Sequence, residues 1–352
     1  MASATTPSPP VQDALNRVTN AHYTQQADGS TLPQTSAPEI VATMLDLLQV
    51  QPGQHVREIG TGSGYSTALL SHLVGSTGTV TSIDIDPELT RRARQRLDAD
   101  ECANVTLIAG DGAAEAPGPH ADRIIAWATM QHIPTAWTRH AAPGALIVTP
   151  VEVTDAAKTF LVIRGRRGDH DQALTADRLL HAGFVEAVPD VLDQWIVPPR
   201  GVDALTRDDE DQPWWLSAPW LRSSADGTGD DLLNRLITHQ RHGEGPLTNH
   251  ERAADFWAYL LAGRPDGLTT AALGEPLWRI GASTPTGVAL ITPSQADHHI
   301  AAGDDSATDL LNTWARQWRE GGEPGLDQMR PVLHPAHDGW IVRVAPQGEE
   351  ND

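Results

Sequence analysis

The chain is short of several things at once. It has one cysteine, Cys102, in 352 residues, which excludes an internal disulfide and a cysteine-based metal framework and fits a reducing compartment. It has one lysine, Lys158, among 25 basic residues, and with 46 acidic ones the formal net charge is −21. The lysine shortage reads as GC-rich coding rather than mechanism. No basic block interrupts the negative excess, so no surface tracking nucleic-acid phosphates is expected. Such a field favours neutral or cationic partners, or solubility. No apolar run approaches the length of a membrane span. Met1–Pro10 is a Ser/Thr/Pro tail without the apolar core of a signal peptide. A cytoplasmic protein with no membrane partner is expected. The histidines include His239/His242 and His298/His299, but no carboxylate or cysteine set completes a zinc pattern, so no metal is expected.

What is present is organised in two parts. Residues 1–30 read as a tail with a short helix over Val11–His22, and Asp28–Pro38 as a polar loop. Pro38 opens an amphipathic helix, Glu39–Leu48. Apolar strands near His55–Ile59, Val80–Ile83, Val105–Ala109, Arg123–Trp127 and Ala145–Pro150 then alternate with helical runs Ser66–Val74, Pro87–Ala99 and Pro134–Ala141. That alternation predicts an α/β, doubly wound, mainly parallel sheet covered on both faces. Lys158–Arg164 is expected to add antiparallel at an edge, and the domain over 31–190 to end near Pro189.

From 191 to 352 the character changes. This part holds nine of the eleven tryptophans, Trp195 to Trp340, and an acidic, linker-like stretch, Thr206–Gln212. Helices are expected at Asp230–His242, Asn249–Ala262 and Ser306–Glu320, with strands at Leu277–Gly281, Val288–Thr292 and Trp340–Val344: an α+β accessory domain. Trp257, Trp314 and Trp318, at helical spacing beside leucines, read as core. Trp214, Trp215 and Trp220 read as the exceptions, available to anchor a peptide.

The densest chemical signal is Val56-Arg57-Glu58-Ile59-Gly60-Thr61-Gly62-Ser63-Gly64-Tyr65. A strand runs into alternate glycines and then a helix, a turn that demands unusual φ and leaves no Cβ to obstruct a ligand. The helix aims its unpaired N–H groups at whatever lies over the turn. The spacing differs from the dinucleotide fingerprint. An acidic lead-in, Glu58, suits a cationic ligand better than a pyrophosphate, which favours S-adenosylmethionine over NAD. Ligands of open α/β sheets sit beyond the carboxyl ends of the strands. Two further strand ends carry carboxylates there. Asp84 stands 20 residues past Gly64, placed for ribose hydroxyls, and Asp111, within Gly110-Asp111-Gly112, for an adenine amino group. Each alone also reads as a solvated surface residue or cap. Asp86, before Pro87, reads as a helix N-cap.

Thr35-Ser36-Ala37-Pro38, Glu58–Tyr65, Asp84, Gly110-Asp111-Gly112, Ile133-Pro134 and Leu146–Pro150 together resemble the protein-L-isoaspartate O-methyltransferase family over roughly residues 20–190. The resemblance implies a class I methyltransferase fold. It implies S-adenosyl-L-methionine, leaving as S-adenosyl-L-homocysteine, held by Glu58, Gly60, Thr61, Gly62, Ser63, Tyr65, Asp84, Ile85, Asp111 and Gly112. It also implies that Ser36, beside Thr35, holds the acceptor carboxylate; Ser36 reads equally as a cap for helix 39–48. His132 either orients the substrate or caps the helix after Pro134.

Three departures from the family stand out: a short N-terminal segment, Trp127-Ala128-Thr129-Met130-Gln131-His132 where repair enzymes carry small residues and prolines, and the tryptophan-rich region itself. Arg57, in a strand expected to be buried, has no evident reason. The stretch Phe256-Trp257-Ala258-Tyr259-Leu260-Leu261-Ala262-Gly263-Arg264-Pro265, with Gly267-Leu268-Thr269, resembles C-terminally extended variants associated with ribosomally made, modified peptides (lanthipeptides, graspetides, lasso peptides). That implies methylation of an aspartyl or isoaspartyl carboxylate in a constrained precursor peptide, the ester collapsing to succinimide or isoaspartate. General isoaspartyl repair is the alternative. An NAD(P) oxidoreductase is disfavoured by the glycine spacing, and a non-enzymatic peptide binder with a vestigial cofactor site by the intact set Glu58, Asp84 and Asp111. The oligomeric state is not legible.

Overall fold

A computed structural model describes residues 6–348 except 34, 116, 170–172, 189–197 and 276. The expected domain end at Pro189 and Trp195 lie outside the described residues. Helices α1 (Pro9–Arg17), α2 (Asn20–Thr24) and α3 (Pro38–Leu48) open the chain. The helix expected over Val11–His22 is thus two, with Val18 extended between them. Then follow β1 (His55–Ile59), α4 (Tyr65–Val74), β2 (Thr79–Asp84), α5 (Pro87–Ala99), β3 (Val105–Ala109), β4 (Ala121–Ala126), β5 (Ile133–Pro134), α6 (Thr135–His140), β6 (Ala141–Glu152), β7 (Phe160–Arg167) and β8 (Leu174–Leu180). Asp86 caps α5, its Oδ1 accepting from the amides of Glu88 (2.8 Å) and Leu89 (3.3 Å), and Pro87 costs the first turn nothing because its N–H would have no partner.

All of these strands except β5 form one sheet in the order β3-β2-β1-β4-β6-β7-β8. It is parallel from β3 to β6, with β7 and β8 antiparallel. The strand expected at an edge, β7, is therefore interior. The strand order reverses between β1 and β4, which opens a crevice at their carboxyl ends.

Side chains alternate across the sheet as a period of two requires. Val56, Val80, Ile125, Val148 and Val162 pack with Met44, Leu45, Leu69 and Leu70 of α3 and α4. Ile59, Ile124, Ile147, Leu161 and Ile163 face the other way, into a cluster with Phe256, Trp257, Leu260, Trp314 and Trp318. The second face is thus covered largely by the C-terminal region; among the described residues the crossover from β4 to β6 carries just the six-residue α6.

That region comprises β9 (Ala204–Arg207), β10 (Pro213–Ser217), α7 (Thr228–His239), β11 (Arg241–Glu244), α8 (Ala253–Gly263), β12 (Leu268–Leu273), β13 (Trp278–Ser283), β14 (Gly287–Thr292), β15 (Gln295–Gly303), α9 (Ser306–Glu320), β16 (Met329–Ala336) and β17 (Gly339–Pro346). A second sheet runs β11-β15-β14-β13-β12-β10-β9. The acidic stretch 206–212 is no linker: it closes the β9–β10 hairpin, where Asp208 accepts from the Gln212 amide (2.8 Å) and from Trp214 Nε1 (3.2 Å). Trp215 is buried against Ala157 and Ala272, so it belongs with the core tryptophans, whereas Trp214 and Trp220 are half-buried. The β16–β17 hairpin pairs with β5, Trp340 opposite Ile133. A shared core and a strand pairing therefore tie the two parts together.

Candidate functional site

Three glycines make the turn after β1. Gly60, Gly62 and Gly64 have φ of 88°, 51° and 87°, the left-handed region where a Cβ is strained. Gly60 donates to the Ile83 carbonyl (2.7 Å), locking the turn onto β2. Asp84, at the end of β2 and nearly buried, accepts from the Gly62 amide through Oδ2 (2.7 Å) and from the Asp86 amide through Oδ1 (2.9 Å). Burial nevertheless pushes its carboxyl above the usual range, the two amides opposing. Thr61 Oγ1 lies 2.6 Å from Ser82 Oγ, and that pair closes the base of the turn.

A cavity of about 310 Å³ lies over these strand ends. Gly60, Thr61, Gly62, Ser63, Tyr65, Asp84, Ile85, Asp111 and Gly112 line it, together with Thr35 and Ser36. Asp111 is exposed and binds the Ala113 amide (2.8 Å). Gly112 must be glycine: a Cβ there would come within 2.4 Å of Ile59 Cγ2. Its carbonyl accepts from Trp137 Nε1 (2.8 Å).

Two expected site residues lie elsewhere. Glu58 is not on the cavity surface. It is fully buried behind it, accepting from Ser66 Oγ, Thr67 Oγ1 and Trp127 Nε1. Burial raises its pKa against those hydrogen bonds. Its work is to hold the first turn of α4 and the end of β4 around the glycine turn, so any pull on a cationic ligand acts through the wall. His132 also stands apart, with Nε2 3.3 Å from Asp338 in the turn of the β16–β17 hairpin. The Pro134 helix is not capped by any side chain.

The structure adds walls that linear reading missed. Leu32 and Pro33 line the cavity, and so do Val185, Glu186, Ala187 and Val188, with Trp127, Ala128 and Met130. The 185–187 segment lies along Thr129: the Thr129 amide donates to Val185 O (2.6 Å) and the Ala187 amide to Thr129 O (2.9 Å). Arg200 fastens it, donating to Ala187 O (2.7 Å), Thr129 O (3.2 Å) and Glu152 Oε1 (2.9 and 3.1 Å). Its own amide reaches Glu186 Oε2 (2.9 Å), and Lys158 Nζ lies 3.7 Å from Glu186 Oε1. Among the described residues no group of three or more His, Cys, Asp or Glu is arranged to hold a metal, and no helix is long and apolar enough to cross a membrane.

Residues 10–190 match the family model described as protein-L-isoaspartate(D-aspartate) O-methyltransferase (PCMT). The chain is 36% identical over 166 residues to a protein-L-isoaspartate O-methyltransferase of Bradyrhizobium sp., an overlap of 47% of this chain and 73% of that one. The chain belongs to the protein-L-isoaspartate O-methyltransferase family. It is also 42% identical over 119 residues to the enzyme of that name from Ignicoccus hospitalis, covering 33% of this chain and just over half, 56%, of the relative. A solved protein-L-isoaspartate O-methyltransferase aligns over 97% of this chain and 95% of its own, at 16% identity and TM-score 0.49. A Plasmodium falciparum protein of the family, in complex with S-adenosyl-L-homocysteine, aligns over 52% and 92% at 17% identity and TM-score 0.45.

Membership brings a reaction class, carboxyl O-methylation, and a cofactor, S-adenosyl-L-methionine. The residues here fit that cofactor. Gly112 lines the cavity without a side chain, as its close approach to Ile59 requires. Asp84 keeps lone pairs beyond its two amide bonds, and Ile59, Ile85, Leu89 and Trp127 supply apolar walls.

Proposed function

We propose that this member of the family methylates the side-chain carboxylate of an aspartyl or isoaspartyl residue in one constrained, ribosomally made peptide, and that the ester then closes to a succinimide. The carrying observation is what lines the cavity. Ser36 and Thr35 line it together with Trp127, Met130 and Glu186, and the segment bearing Glu186 is fastened by Arg200 from beyond the family match. A dedicated substrate can draw affinity from such added surface, away from the reacting carboxylate.

The chemistry asks little of side chains. A substrate carboxylate, with a pKa of roughly 4, is already ionised near neutral pH. When bound, S-adenosyl-L-methionine would supply a methyl group on a sulfonium, an electrophile that an ionised carboxylate can attack without help from a base. In this reading no general base is needed, consistent with His132 lying away from the cavity. Asp84 and the glycine turn hold the donor's position, while the Ser36 hydroxyl donates to one acceptor oxygen and aims the other. Holding both partners in line is worth on the order of 7–11 kcal/mol. The ester carbonyl so formed is a better electrophile than the carboxylate: the following backbone nitrogen of the peptide attacks it, the C–OCH3 bond breaks, and the N–H proton leaves with the methoxide as methanol.

General repair of isoaspartyl residues uses the same site and differs in what the cavity admits. The deciding experiment incubates the enzyme and cofactor with a linear isoaspartyl peptide or a constrained peptide encoded beside its gene, and follows masses. Gain of a methyl group, then loss of methanol, on the constrained peptide alone supports the dedicated reading. Efficient methylation of the linear peptide overturns it in favour of repair, and tight cofactor binding with no methylation favours a peptide binder. Ser36→Ala should lower kcat/KM about tenfold, the value of one hydrogen bond to a charged group, with cofactor affinity unchanged.

A further inference from the structure

A second concavity lies on the outer side of α5, away from the strand ends. His22 and Gln26, from α2 and the turn after it, meet Arg92, Gln95 and Arg96 on one face of α5. Two arginines side by side are unusual in a chain of net charge −21, and here no carboxylate lines the depression with them. Neighbouring arginines on the same helix are matched: Arg91 pairs with Glu88 and Arg94 with Asp98. Among the described residues neither Arg92 nor Arg96 forms an ion pair. Arg92 Nη1 is buried and makes no hydrogen bond. Asp100, at the end of the helix, accepts from the Tyr23 hydroxyl (2.6 Å) and lies 3.7 Å from His22 Nε2. Burial lowers the Arg92 pKa, and the adjacent Arg96 adds to the shift. A buried guanidinium nitrogen with no acceptor is costly, and two like charges side by side add to that cost. An anion seated in the depression, where both arginines line the wall, offsets the repulsion and the uncompensated charge.

The position has a consequence for the cofactor cavity. Arg92 Nη2 donates to the Gln25 carbonyl (3.0 Å). Gln25 pairs with Thr31 at the base of a small hairpin, closed by Gln26 N to Ser30 O (2.8 Å). Immediately after it, the Leu32 amide donates to Thr24 O (2.8 Å), and Leu32 and Pro33 line the cofactor cavity. The Arg92 guanidinium, which lines the depression, therefore also holds with Nη2 the hairpin leading to that lining.

We propose that Arg92, Arg96 and His22 form an oxyanion-binding site, for a phosphate or carboxylate group, whose occupancy steadies the 25–31 hairpin and tightens cofactor binding. Planar guanidinium forks suit such ligands, each charged hydrogen bond being stronger than a neutral one. Coupling of this kind is reciprocal, so cofactor must tighten the anion by the same factor.

The test uses the full chain and inorganic phosphate in calorimetry, with chloride at matched ionic strength as control and succinate as a carboxylate arm. Saturable phosphate binding, weakened about tenfold by Arg96→Gln, supports the site. Arg96 makes no side-chain hydrogen bond or ion pair among the described residues, so circular dichroism of this variant should match the parent. Phosphate binding without succinate binding identifies a phosphoryl ligand; equal binding identifies a general oxyanion site. Absence of saturable phosphate binding, or the same Kd in Arg96→Gln, overturns the site. S-adenosyl-L-homocysteine affinity that phosphate leaves unchanged overturns the coupling. None of these readouts requires methyl transfer, so their failure is distinct from failure of the functional reading above.

Discussion

His181 should make the protein acid-labile. Its ring stacks on Trp257 with centroids 4.6 Å apart and planes 24° from parallel. Both ring nitrogens are buried without a hydrogen bond of ordinary geometry, as is the Trp257 indole nitrogen. Burial lowers the His181 pKa from 6.5 to about 4, and the nearby Ala254 backbone opposes the shift only in part. The folded state therefore prefers the neutral ring, while the unfolded chain takes up a proton near the ordinary value. Stability is complete above about pH 6.5 and drains away as pH falls towards 4. Two and a half units at about 1.36 kcal/mol each set a ceiling of about 3 kcal/mol, a large part of the stability of an ordinary domain. Because the ring sits between the strand leading to the cavity and α8, the loss falls on the packing of the C-terminal region against the sheet. The assay is guanidinium unfolding from pH 7.5 to 4 for the parent and His181→Phe, which keeps a flat ring and removes the titration. The difference between the two proteins should change by about 3 kcal/mol over that range, in the direction that penalises histidine in acid. Parallel curves across the whole range would refute the reasoning.

Other substitutions probe the site itself. Asp84→Ala should weaken S-adenosyl-L-homocysteine binding about tenfold or more, since it removes a charged acceptor; unchanged affinity by calorimetry would sink the ribose assignment. Gly112→Ala forces a methyl into Ile59 and should cost about 1–3 kcal/mol of stability, together with a loss of cofactor affinity that an adjustable wall would not show. Trp127→Phe removes the indole donor from buried Glu58 and should destabilise by about 1–3 kcal/mol; an unchanged unfolding midpoint would mean that the bond contributes nothing.

The parts legible in the sequence are those whose logic is local. β1 and β3 have the bounds expected of them, and Pro87–Ala99 is the helix that Asp86 caps. Apolar runs, proline and capping residues act within a few positions of themselves. In the C-terminal region, α9 shows the same legibility, with Trp314 and Trp318 inward. The strands that escaped notice there, such as Leu268–Leu273 and Gln295–Gly303, carry few large β-branched or aromatic residues: alanine and threonine fill the middle of the first, and alanine, histidine and other polar residues most of the second. The first is buried throughout, so it lacks the alternation that marks a strand with one wet face. The 206–212 stretch looked like a linker because acidic turn residues and linker residues are the same residues.

For the site, the sequence by itself determined the strand-end chemistry: the left-handed glycines, Asp84 at the end of β2, Asp111 beyond β3, and with them the choice of methyl donor. These groups converge because parallel strands all deliver their carboxyl ends to one edge. Only the tertiary structure decided that Glu58 works from behind the wall, since Trp127 reaches it across 69 residues. Only the tertiary structure brought residues 185–188 to the cavity and Arg200 to fasten them, or set the tryptophan helices against the second face of the sheet. Those outcomes rest on burial between segments far apart in the chain, and burial of that kind leaves no periodic mark in either segment alone.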